Sequence, residues 1–179
     1  MNQLLRGIAV VSTAALLVMV MPGVAVAKTV SNEKYAKAYC GAIEAAFKKL
    51  NDVETQAQTG GDPVAFRTGA LATLDSVIAS LQSAAGKLQK LAPKDGGKKV
   101  ATLFDATLTQ QASGIQAARD AFAAAGPNSG AFSEAVGTLL NSATGALATF
   151  DAPLSKLGKH RALRGAVKKS CNFVRVNRS

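Results

Sequence analysis

Tryptophan is absent from this sequence, histidine occurs once, cysteine twice, and aromatic residues make up only 5% of the chain. A single imidazole cannot build a His-Glu-x-x-His motif, and two cysteines alone leave a zinc ion two ligands short. Gly-x-Ser-x-Gly, Gly-x-x-x-x-Gly-Lys and calcium-loop patterns are missing as well. The carboxylates stand singly along the chain, and none follows Asp151. No catalytic, metal or cofactor set is complete, so the expectation is a protein that is not an enzyme and carries no cofactor.

What is present begins with a targeting pattern. Met1 to Arg6 form a short basic opening, an apolar run extends from Ile8 to Met21, and Pro22-Gly23-Val24-Ala25-Val26-Ala27 supplies an Ala-x-Ala exit. Small residues at 25 and 27 fit signal-peptidase subsites, which places the mature start at Lys28. The alternative is an uncleaved anchor, but a run of about 14 residues before a proline is short of the ~20 that a spanning helix needs. The reading is therefore a signal peptide over 1–27 and one domain over 28–179, roughly 150 residues, in a secreted or envelope-associated protein. In an oxidising compartment Cys40 and Cys171 pair most simply as one intramolecular disulfide, the alternative being two buried free thiols.

Helical periodicity dominates the mature chain. Tyr35, Tyr39, Ile43, Ala46, Leu50, Val53 and Ala57 recur at steps of three and four, with Ser31-Asn32-Glu33 as a start and Gly60-Gly61 as a stop. Asp62-Pro63 opens a second helix carrying Leu71, Leu74, Ile78, Leu81, Leu88 and Leu91, closed by Pro93 and Gly96-Gly97. A third carries Val100, Leu103, Phe104, Leu108, Ile115, Ala118 and Phe122. A fourth starts near Ser129, aligns Phe132, Val136, Leu139, Ala143, Leu147 and Phe150, and meets a break at Pro153 before Leu157, Leu163, Val167 and Val174. The pattern predicts an all-α, up-down four-helix bundle whose last helix is kinked or split near Pro153, with first and last helices as antiparallel neighbours bridged by Cys40 and Cys171.

Two further patterns each have two readings. Gly41, Gly69, Gly114, Gly137 and Gly145 either let helices approach closely or reflect a composition rich in Ala and Gly, at about 1 kcal/mol per mid-helix glycine. The segment from Thr68 to Asp75 matches that from Thr144 to Asp151 at all but one position, which is either a duplicated helical hairpin or chance between similar helical faces.

Charge is unevenly placed. From Lys28 to Ser155, 12 basic residues meet all 11 acidic ones, whereas 156–179 holds eight basic residues and no acid. Turned as a helix, Arg161, Arg164, Lys168 and Arg175 fall within about 60° of each other, opposite Leu163, Val167 and Val174. They form the candidate anion-binding ridge, and the partners expected outside the cytoplasm are anionic envelope polymers or phospholipid head groups rather than a specific nucleic acid. His160, between Lys159 and Arg161, reads as one more polar residue on that face. In the antiparallel arrangement it stands level with about Asn51, roughly 16 Å from Tyr39, too far for the two to share a haem iron. Tyr35 and Tyr39 read as core residues with their hydroxyls toward the bundle end.

With its leader, the Tyr35-Ala36-Lys37-Ala38-Tyr39-Cys40 segment, Lys168-Lys169-Ser170-Cys171 and Ala-rich helices between, the chain resembles small secreted helical proteins of unknown function common in actinobacteria. That resemblance implies export and a bundle, without an activity. The functional expectation is an exported, non-catalytic binding or envelope-associated protein that docks on anionic surfaces through its basic C-terminal helix. The alternative is a binder of a small apolar ligand in the bundle interior.

Overall fold

Helix α1 (Asn32–Thr59) begins where the Ser31 hydroxyl accepts a hydrogen bond from the Lys34 N–H at 3.2 Å. Helix α2 (Pro63–Leu88) begins at Asp62, whose carboxylate accepts from the N–H groups of Val64 and Ala65, with proline in the first turn where its missing N–H costs nothing. Both starts are the ones that the sequence predicts. Helix α3 (Gly97–Ala124) and the shorter α4 (Phe132–Leu147) follow. The computed structural model describes residues 27–59, 61–127 and 132–172. The expected leader, the helix start near Ser129, Val174 and Arg175 lie outside the described residues.

A parallel two-stranded sheet precedes α1 and α3. Strand β1 (Lys28–Val30) pairs with β2 (Leu91–Pro93) in the register Lys28 with Leu91 and Val30 with Pro93. Three residues are too few to display a two-residue alternation, which is why periodicity alone carries Leu91 on the stripe of α2. The pairing fixes α1 and α3 to start at the same end of the molecule, with α2 running back between them. α4 then descends antiparallel to α3, as the contacts of Gln111 with Leu147 and Phe122 with Phe132 require.

In place of the expected four helices, the described residues hold five of ten residues or more, with a single-turn helix between the last two. After Leu147 the chain tightens into a 3-10 turn (Ala148–Asp151), makes one turn of helix α5 (Ala152–Ser155), bends through Gly158 at φ +48°, and rises again as α6 (Arg161–Ser170). Pro153 therefore marks a split followed by a reversal of direction. Cys40 and Cys171 are bonded, with Cα atoms 5.1 Å apart and 131 residues between them. The antiparallel geometry is overturned, however. Asn32 at the start of α1 and His160 at the start of α6 both bind Asp95, while the disulfide joins points farther along both helices. α1 and α6 run parallel, and α4 and α6 share the flank of α1 between them.

The core has an aromatic cluster at each end. Tyr35 and Tyr39 meet the Phe104 ring edge to face at 5.5 and 4.8 Å near the sheet, and Phe66, Phe122 and Phe132 gather at the opposite end at 5.7–6.2 Å. Leu74, Leu81, Leu108, Ile115, Leu139 and Leu147 fill the space between. The glycines divide into two kinds. A Cβ on Gly114 would lie 2.9 Å from that of Ala146, so the approach of α3 to α4 requires glycine there; one on Gly41, Gly137 or Gly145 would meet nothing within 4 Å. The repeated octapeptide also takes two structures, continuous helix in α2 and a helix passing into a 3-10 turn after α4.

Candidate anion-binding surface

The N-terminus of α6 has no side-chain cap of its own. Asp95, in the turn between β2 and α3, supplies one from across the fold. Its Oδ2 accepts from the Leu163 N–H at 3.5 Å, its Oδ1 lies 2.8 Å from His160 Nδ1, and its backbone N–H donates to Asn32 Oδ1 at 2.9 Å. A carboxylate at a helix N-terminus satisfies free N–H groups and meets the positive end of the helix dipole. The hydrogen bond from His160 leads the causes that hold the Asp95 carboxyl below its ordinary range. Gly96 sits beside this node at φ +107°, where a Cβ would come within 2.3 Å of Val100 Cγ2 and 3.3 Å of His160 Cε1.

Leu163 and Val167 bury one face of α6 against the core, and Cys171 fastens its far end to α1. The opposite side carries the cations. Arg161, Lys168 and Lys169 are exposed, whereas Arg164 is half-buried with its Nε enclosed and without a hydrogen-bond partner among the described residues. The expected ridge of Arg161, Arg164, Lys168 and Arg175 is therefore placed in part: two of its members face solvent, Arg164 turns partly inward, and Arg175 lies outside the described residues. Lys169 is exposed as well but lies about 80° around the helix from Arg161 and about 100° from Lys168, outside that arc. Among the described residues, none of Lys156, Lys159, Arg161, Arg164, Lys168 and Lys169 forms an ion pair; the Lys and Arg pairs present are Lys48 with Glu44 and Arg119 with Asp75 and Asp120.

A cleft of about 730 Å³ runs between α1 and α6. Its α1 wall presents Glu33, Lys37, Gly41 and Glu44, and its α6 wall Arg161, Gly165 and Lys169, with Cys40 of the disulfide also in its lining. The two tyrosines expected in the core are there, fully buried. Tyr39 donates its hydroxyl to the Phe150 carbonyl at 2.6 Å and Tyr35 donates to that of Ala101 at 3.3 Å. Burial raises both phenols well above their ordinary range, which keeps them protonated.

His160 is the residue whose role the sequence concealed. It stands beside Asp95 and level with the start of α1, not with Asn51, because α6 runs parallel to α1. Its partner lies 65 residues away on a turn, and no local spacing connects the two. α2 is long and apolar enough by composition to cross a membrane, but Ala70, Leu74, Val77, Ile78, Leu81, Ala85 and Leu88 pack it into the bundle. Comparison with family models, curated proteins and solved structures finds no match to this chain.

Proposed function

We propose that this is an exported, non-catalytic binding protein that docks on anionic cell-envelope surfaces through the cations of α6. The observation that carries the reading is the concentration of cations on and just before α6, where no acidic residue occurs. The run from Lys156 to Lys169 holds six Lys and Arg residues and no acid, and none of the six forms an ion pair among the described residues. Unneutralised cations on a rigid helix attract a polyanion, and each contributes about 1 kcal/mol near an anionic surface. The disulfide accords with an extracytoplasmic place.

The test is sedimentation with phosphatidylglycerol-containing vesicles across a salt series. The parent should bind at low salt and dissociate as the screening length falls to about 8 Å at 0.15 M. Converting Arg161, Lys168 and Lys169 to Glu together should abolish binding while helicity and the disulfide persist, since all three side chains are exposed. Arg164 is left in place because its Nε is enclosed. A parent that ignores anionic vesicles at low salt, or a reversed variant that binds as the parent does, overturns the proposal.

A further inference from the structure

The cleft between α1 and α6 contains two glycines that the fold does not need. Gly41 and Gly165 lie within helices, at negative φ, and a Cβ on either would meet nothing within 4 Å. Glycine weakens a helix relative to alanine, and at these two positions packing returns nothing for that cost. Gly137 and Gly145 on α4 are open in the same way, so an open glycine by itself marks no site. What distinguishes Gly41 and Gly165 is that they belong to opposite walls of one cleft, together with the side chains of Lys37, Arg161 and Lys169.

Among the described residues none of those three cations forms an ion pair. Two carboxylates share the lining, and one of them, Glu44, is held by Lys48 at 2.9 Å. The lining groups outside those contacts are thus three cations against Glu33, with Ser170 beside them. A volume of about 730 Å³ falls in the range of sites for one small molecule. We infer that the α1–α6 cleft binds the phosphodiester head group of a single anionic phospholipid, its phosphate held by Lys37, Arg161 and Lys169 over the opening left by Gly41 and Gly165.

This inference rests on the docking function proposed above but makes a narrower claim. Surface docking depends on net charge, so every exposed cation of α6 counts alike; cleft binding depends on shape and on Lys37, which lies outside α6. The probe is dihexanoyl phosphatidylglycerol below its micelle concentration, titrated into the disulfide-bonded protein and followed by amide shifts in NMR. Saturable one-to-one binding should perturb amides on both cleft walls. Gly165→Leu and Gly41→Leu, which fill the cleft and leave charge untouched, should each abolish it. Lys37→Gln and Lys169→Gln should weaken it about fivefold each, while Lys168→Gln, outside the lining, leaves it within about twofold.

If the leucine variants bind lipid as the parent does, or if Lys168→Gln costs as much as Lys169→Gln, the cleft is not the site; vesicle docking that persists in those variants would leave the broader function standing. Should a leucine variant fail to fold, the comparison of Lys37, Lys168 and Lys169 decides alone. Inorganic phosphate or an acidic peptide competing as well as the lipid would overturn the lipid assignment. Loss of all vesicle binding in the parent would overturn both proposals.

Discussion

The segment from α1 to α3 and the segment from α4 to α6 are built by different means. In the first, helices of 26 to 28 residues carry continuous apolar stripes, and the starts of α1 and α2 are capped by neighbours in sequence, Ser31 and Asp62. In the second, the helices span 16, four and ten residues, and their ends are satisfied from elsewhere. The Gln111 amide donates to the Leu147 carbonyl and the Tyr39 hydroxyl to that of Phe150 where α4 breaks, while Asp95 caps α6. A ten-residue helix rich in cations is marginal alone. Its structure is borrowed from the first three helices, through one carboxylate, two buried aliphatic side chains and a disulfide.

That difference is broken most severely by removing the disulfide. Replacing Cys40 and Cys171 together by Ala should lower stability by about 2–5 kcal/mol, since the bond closes a 131-residue loop. Denaturant unfolding measures the sum, and hydrogen exchange measures its distribution: amides of α6 should lose protection first while those of α2 and α3 keep theirs. Uniform loss along the chain would show that the two segments stand or fall together.

The next largest effect is expected at the turn that holds α6. Gly96→Ala places a Cβ 2.3 Å from Val100 Cγ2 at φ +107°, a left-handed conformation that side-chain-bearing residues adopt at a cost. Strain and overpacking together should cost about 2–4 kcal/mol, read as a fall in the midpoint of thermal unfolding. Gly145→Ala on α4 has open space and negative φ, so it should stabilise by about 0.5–1 kcal/mol. Equal effects at the two positions would show that neither backbone angle nor free space governs these two glycines.

The same contrast explains how far the sequence could be read. The stripes through Tyr35, Tyr39 and Ile43 and through Phe104, Leu108 and Ile115 are buried as their periodicity implies, and the start at Asp62-Pro63 is where local chemistry places it. The disulfide was legible from cysteine count and compartment, but the direction of α6 was not: Cys40 and Cys171 can meet whether their helices run parallel or antiparallel. Direction is set by the reversal through Gly158 and by Asp95, which acts across 65 residues to reach His160. Of the candidate site, the cations were visible as a charge run. The cleft was not, because it exists only once α6 lies parallel to α1 and brings Gly165 and Lys169 into the same lining as Lys37 and Gly41.

The smallest predicted effect isolates the borrowed cap from the rest. The Asp95 carboxyl titrates below its ordinary value of 3.8, first because His160 hydrogen-bonds to it and further because the Leu163 N–H does. A depressed carboxyl contributes stability that is present above its unfolded value and disappears as pH falls through the folded value, so the contribution is lost only in strong acid. By NMR, the Asp95 side-chain carbon should titrate with a midpoint below 3.8, and the Leu163 amide proton should follow the same midpoint because it donates to that carboxylate. His160→Ala should move the midpoint upward, and Asp95→Asn should remove the transition from Leu163. Asp120, also depressed, is held by Gln116 and Arg119 within α3, so its titration should leave Leu163 unmoved. If instead Leu163 follows Asp120, or ignores Asp95, then α6 is held by its apolar face and disulfide alone, and the turn before α3 only adjoins it.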